Sequence, residues 1–255
     1  MMRFSLKKPN DNQTNYFKHI VCETALLVFG ILLALQINNW NELQKLEKEE
    51  MNMLDNLLEN LKSAKEQSEN YILQEEKLKH SLFLALGKTT NQAEVNQKTI
   101  SDSIFYELLW NFEGNVPVLN AYSELKNTGK IVLIKNAEIR RSFTSLEAHI
   151  NTLKFFIKDR LTVQQLRVDE IAINEINFVR LLNTQDPTFN IDGELPNDYI
   201  LILKNQKTRN ILATKLELTN KVIRYRQDLA IEIKHLIRLL DAEIKTRKSE
   251  RNLRS

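Results

Sequence analysis

Glycine and proline punctuate this chain so sparsely that long helices are the main structure open to it. The glycines are Gly30, Gly87, Gly114, Gly129 and Gly193, and the prolines are Pro9, Pro117, Pro187 and Pro196. These residues are the strongest local breakers of regular structure. Between them lie three unbroken arms, 31–86, 130–186 and 197–255, and the internal breakers gather in two zones, 87–129 and 187–196. All-β and α/β domains need far more turns than this. The expected fold is all-α.

The arms carry apolar residues at helical spacing. In the first, Leu54, Leu57, Leu61, Ala64, Ser68, Tyr71, Glu75, Leu78 and Leu82 alternate steps of three and four, a heptad rhythm. Ser68 and the charged Glu75 weaken the middle of that seam. The second arm reads Ile139, Phe143, Leu146, Ile150, Leu153, Ile157, Leu161, Gln164, Val168 and Ile171. Its step from Ile157 to Leu161 is four where three is due, which predicts a phase slip or a bend. A break near Lys158 would make this arm two helices. The third arm is the most regular: Leu212, Leu216, Thr219, Ile223, Arg226, Ala230, Ile233, Ile237, Leu240 and Ile244. Beside it runs a second stripe, Leu218, Val222, Tyr225, Leu229 and Leu236. A face this wide packs against more than one neighbour, so a bundle is favoured over a two-stranded zipper.

Long helices are expected at about 41–86, 136–182 and 205–250, each roughly 70 Å long at the α-helical rise. Near-equal lengths suit an elongated antiparallel bundle, expected over 41–250 with a basic tail at 251–255. Gly87 and Gly129 stand where helix C-caps would. Short helices are expected within 99–129, from "SDSIFYELLWNF" and "LNAYSELKNTGK", the first opened by Ser/Asp capping residues. "FNIDGELPND" reads as a loop and "YILIL" (199–203) as a helix start. The parity of the 88–135 connector stays open, and with it the end of the bundle at which the basic tail lies.

The stretch "CETALLVFGILLALQINNWNE" (22–42) is the one long apolar run. From His19 to Trp40 the only charged side chain, with histidine neutral, is Glu23. That span covers about 33 Å of helix, close to a hydrocarbon thickness. Tyr16, Phe17 and Lys18 at one end and Trp40 at the other suit the membrane interface. A cleaved signal peptide needs small residues at its cleavage site, and "LLALQINNW" supplies a poor one. The run also passes into the first arm without a breaker. The expectation is an uncleaved signal-anchor at 19–40, with a buried core helix of a soluble protein as the remote alternative. Arg3, Lys7, Lys8 and Lys18 precede the run, while Lys45 and Lys48 after it are mixed with four glutamates. The positive-inside rule then predicts a cytoplasmic tail at 1–18 and a bundle outside the cytoplasm, periplasmic in a Gram-negative cell.

Glu23, Gly30 and Ala34 fall within about 20° of one line on a helix. Gly30-x-x-x-Ala34 is a small-xxx-small pair that lets helices approach closely. Two readings stand side by side. Glu23 meets a partner group in a helix–helix contact, or it sits at headgroup level and is solvated.

The segments "GILLALQINNWNE" (30–42), with Glu23 before it, and "AYSELKNTGKIVLIKNAEIRR" (121–141) resemble a family of single-pass membrane proteins of unknown function from Bacteroidota. The resemblance implies a membrane anchor with an extended helical domain. It implies no activity, substrate or catalytic residue.

Chemistry is thinly signalled. The net charge is +3, from 36 Lys+Arg against 33 Asp+Glu, so nothing global favours nucleic acid. The single cysteine, Cys22, excludes an internal disulfide. Glu232-x-x-His235 has di-iron spacing but lacks the second copy such sites need. "NTGK" (127–130) is not a complete phosphate loop, and there is no G-x-S-x-G. No enzyme, cofactor or metal site is expected. The basic end "KTRKSERNLRS" reads either as contact with anionic lipid or nucleic acid, or as favourable charge at a helix C-terminus with a frayed tail, the reading preferred from sequence. Two functions follow: a membrane-anchored interaction or scaffold module with a protein partner or a second copy, or a periplasmic ligand-sensing bundle that signals through a membrane partner.

Overall fold

The computed structural model describes residues 11–87, 100–184, 186, 188, 191 and 193–254, and the side chains of those from 21 to 253. Among the described residues all regular structure is helical. The helices are α1 (Asp11–Ala85), α2 (Asp102–Trp110), α3 (Asn120–Asn127), α4 (Ala137–Val163), α5 (Asp169–Asn174), α6 (Phe178–Leu182), α7 (Tyr199–Lys204) and α8 (Gln206–Arg254). The chain divides into two compact units, one ending at Met53 and one starting at Leu54.

The second unit is an antiparallel bundle whose directions can be read from its cross-links. Lys234 pairs with Glu69 at 3.0 Å and Lys248 with Asp55 at 3.7 Å, so α8 runs opposite to α1. Asn136 Nδ2 donates to Glu243 Oε2 at 2.9 Å, and Phe156 stacks on Tyr225 with centroids 4.3 Å apart, so α8 also runs opposite to α4. The connector between α1 and α4 must then travel back along α1. It does so through α2, an extended stretch 111–119 and α3. Val118 donates its N–H to Gln67 Oε1 at 3.0 Å, and Ala121 donates its own to Asn60 Oδ1 at 3.3 Å, so the chain moves toward the start of α1 as it advances. This settles the connector's parity: the end of α8 lies at the end of the bundle where the chain enters at Leu54.

Local signals explain the boundaries. Ser101 Oγ accepts the Ile104 N–H, and Asn136 Oδ1 accepts the N–H groups of Glu138 and Ile139, capping α2 and α4. Gly129 closes the α3 turn at φ +71°, a left-handed conformation that side-chain-bearing residues avoid. At one end of the bundle Leu78, Leu82 and Ala85 of α1 pack with Phe105, Leu108 and Leu109 of α2, and with Ile171, Leu181, Ile202 and Leu212. Burying each large side chain of this kind stabilises by about 1.5–3 kcal/mol.

The second arm differs from its expected form. It is not one helix over 136–182. α4 ends at Val163 and passes into a widened π-type turn at Gln164–Val168, then α5, and α6 begins afresh at Phe178. The inward residue after Ile157 is Arg160, 1% exposed, while Leu161 is 37% exposed. The step of three is thus kept through Ile157–Arg160. The extra residue of the slip falls at Gln164–Val168, where the widened turn absorbs it. The chain does not break near Lys158.

Candidate functional site

The apolar run lies in the first unit, where every residue from Val21 to Leu46 is exposed. Its most apolar 18-residue stretch has a mean hydropathy of 1.9 and is 0% covered. Glu23, Gly30, Ala34 and Trp40 all stand on this exposed helix, and no atom lies within 4 Å of a Cβ built on Gly30. A shallow groove marks the helix at Val21, Thr24, Ala25, Val28, Phe29 and Leu32. At about 100° per residue this groove lies on the side of the helix opposite Glu23, Gly30 and Ala34. The helix therefore has two distinct notched faces. The side chains of Tyr16, Phe17 and Lys18 lie outside the described residues.

The second unit holds a buried ionic node that follows from the broken connector. Where α2 ends and the chain runs extended along the bundle, backbone carbonyls lose their helical partners. Buried carbonyls must find donors elsewhere. Here they find them on α4, its widened turn and α8. Lys215 Nζ donates to the Leu108 and Leu109 carbonyls at 2.7 and 2.8 Å, and Gln164 Nε2 donates to Leu109 at 2.5 Å. Arg160 Nη2 and Arg226 Nη2 both donate to the Glu113 carbonyl, at 2.8 and 2.9 Å, and Arg226 Nη1 donates to Asn115 at 2.9 Å.

Glu75 balances these cations. Its Oε2 accepts from Arg160 Nη1 at 2.5 Å, its Oε1 from Arg160 Nη2 at 2.7 Å, and Oε1 also from Arg226 Nε at 3.3 Å. The carboxylate is 0% exposed and each guanidinium side chain 1%. The Arg160–Glu75 pairing is bidentate, the geometry in which planar guanidinium binds carboxylate most strongly. Aromatic faces close the node: Arg160 lies 4.7 Å from the Phe112 ring centroid and Arg226 5.3 Å from Tyr71. Burial pushes the Lys215 ammonium down to about 7, with Arg160 adding to the shift and Glu75 and Asp169 opposing it. Burial also draws Arg226 below its usual value against the pull of Glu75. The node pins segment 111–119 from three helices and fixes the register among them.

A groove of about 270 Å³ lies beside this pinned segment. Val116, Pro117, Leu119 and Ile150 line it with apolar surface, and Ser123, Lys126, Asn127, Glu147, Asn151 and Lys154 add polar groups. Lys126 Nζ holds both Glu147 oxygens at 2.6 and 2.7 Å, and Tyr122 donates its hydroxyl to Glu147 at 3.2 Å. The Lys126 hydrogen bond holds Glu147 below the usual carboxylate range. Burial, then Glu147, pushes the Tyr122 hydroxyl upward.

Of the residues the sequence singled out for a contact, Glu23, Gly30 and Ala34 lie on a single helix that this chain does not cover. Glu232 and His235 sit on α8, and among the described residues no group of three His, Cys, Asp or Glu is placed to hold a metal. Lys215 and Arg160 were missed because each has an apolar neighbour, Leu216 and Leu161, at almost the same register. A signal did exist. Glu75, Gln164 and Arg226 interrupt the inward stripes of three different arms, the mark of a shared polar layer.

Residues 23–149 match the model of a family of unknown function (DUF6090). The match opens on Glu23, takes in 30–42, the pinned 111–119 stretch and 121–141, and ends within α4 before Arg160. No curated protein and no solved structure matches the chain.

Proposed function

We propose that this is a single-pass membrane protein whose helical bundle acts as an interaction or scaffold module, binding a protein partner or a second copy. One observation carries the anchor: the apolar run has no cover from its own chain. Leu26, Leu27, Val28, Phe29, Ile31, Leu32, Leu33 and Leu35 are each 44–68% exposed. Left in water, these eight side chains forgo roughly 10–20 kcal/mol of burial, as much as the whole stability of a typical domain. A bilayer supplies that burial. The basic residues before the run favour an N-terminus in the cytoplasm and a bundle in the periplasm, anchored in the inner membrane. The bundle's buried node suits a scaffold, because it spends charged residues on fixing helix register rather than on an open reactive site.

Carbonate washing of membranes tests the anchor. The chain is expected in the pellet, and its release into the wash refutes the proposal. Protease added to intact spheroplasts is expected to digest the bundle and spare the N-terminal tail. The 270 Å³ groove beside Tyr122 and Glu147 favours a second reading, a ligand-sensing bundle that signals through a membrane partner. Crosslinking and pull-down from detergent-solubilised membranes separates the two. A stoichiometric protein partner supports the scaffold; a co-purifying small molecule supports the sensor.

A further inference from the structure

We infer that the basic end of α8 docks on the anionic headgroups of the membrane in which the chain is anchored. The inference rests on the anchor reading. It starts from the direction of α8. The Lys248–Asp55 pair places the last turns of α8 at the end of the bundle where the chain enters at Leu54. Past that pair α8 continues to Arg254, six more residues and about 9 Å of helix. Fifteen residues along the chain separate Asp55 from Trp40. Even a fully extended stretch would keep this end within about 50 Å of the bilayer.

The chemistry of that end fits an anionic surface. Residues 245–254 carry Lys245, Arg247, Lys248, Arg251 and Arg254 against the single acid Glu250. Lys245, Lys248 and Arg251 are exposed, and Leu253 among them is 85% exposed. Compensation of the helix dipole acts only in the last turn. It accounts for Arg251 and Arg254 but not for Lys245, Arg247 and Lys248, which lie one to three turns earlier. Arg247 is held by Glu243 at 2.6 Å and Lys248 by Asp55 at 3.7 Å, while Lys245 and Arg251 stand exposed. Lys and Arg within a Debye length of an anionic leaflet are attracted to it, each cation near the surface strengthening the contact several-fold. An exposed leucine between arginines adds an apolar tip for the interface.

The test uses the full chain in nanodiscs. A dye that reports on its surroundings is placed at position 253 through Leu253→Cys in a Cys22→Ser background. One set of discs contains phosphatidylcholine alone and the other about 30% phosphatidylglycerol, both with a headgroup-borne quencher. Quenching about three-fold stronger in the anionic discs, and abolished by about 0.5 M salt, is expected. The combined variant Lys245→Gln, Lys248→Gln, Arg251→Gln, Arg254→Gln is expected to lose the difference while keeping the parent's helical circular dichroism. Should that variant unfold, the lipid and salt dependence of the parent still decides. Equal quenching in both discs, or quenching that salt leaves unchanged, overturns the inference; it would point to a neutral contact such as a second copy. Failure of the anchor reads out separately, as a chain that does not co-elute with the discs.

Discussion

Glu75→Gln tests the buried node directly. The substitution keeps the side chain's volume and one acceptor oxygen but removes the charge that two guanidiniums share. Arg160 and Arg226 are each 1% exposed and Glu75 0%, so water cannot replace the lost partner. Breaking a buried pair from one side costs about 3–5 kcal/mol, because a buried charge is left uncompensated. For a unit of this size that lowers Tm by roughly 6–20 °C. The assay is thermal unfolding of the full chain in detergent, followed by circular dichroism. A second variant sharpens it: Glu75→Leu, Arg160→Met, Arg226→Met together. Apolar replacement of a whole buried ion cluster is often neutral or stabilising. Here it should destabilise, because the Glu113 and Asn115 carbonyls lose every donor the two arginines supply. Leaving the buried Glu113 carbonyl unsatisfied costs about 1–3 kcal/mol, while the exposed Asn115 carbonyl can turn to water. A triple variant as stable as the parent would refute the view that the arginines are there to satisfy the extended segment.

Lys215 should give the bundle a pH dependence. Its folded value is about 7 against a reference of 10.5, so between these values the folded chain binds fewer protons than the unfolded. Its contribution is fully present above 10.5, shrinks as pH falls, and is lost through pH 7. Urea midpoints should therefore rise from pH ~6.5 to pH ~9 in the parent and rise less in Lys215→Met; equal slopes would sink the argument. Gly129→Ala should cost about 1–2 kcal/mol, since its φ of +71° is strained for alanine although no atom lies within 4 Å of the added Cβ. Thermal melts check this. Glu23→Gln should reduce crosslinked assembly in membranes if the carboxylate meets a partner helix, whereas unchanged crosslinking would place it at the headgroups.

The sequence by itself determined the class of element and marked out the apolar run proposed here as an anchor. Few breakers and a spacing of three and four leave little besides long helices, and an apolar run flanked by interfacial residues needs no tertiary context to be read. Those signals are local, written in consecutive residues. The node was legible only in part: Glu75, Gln164 and Arg226 stood out as polar residues in apolar stripes, but nothing local says that they meet. Tertiary structure decided three further matters. It chose Arg160 over Leu161 as the inward residue, because a buried carboxylate on α1 and the buried carbonyl of Glu113 favour a guanidinium there. It moved the register slip to Gln164–Val168. It also fixed the direction of the connector, which hydrophobic periodicity cannot encode, since a helix face is equally apolar whichever way the chain runs along it. That direction follows from Asn60 and Gln67 of α1 reaching the backbone of 118 and 121, and it brings the end of α8 back to where the chain enters the bundle.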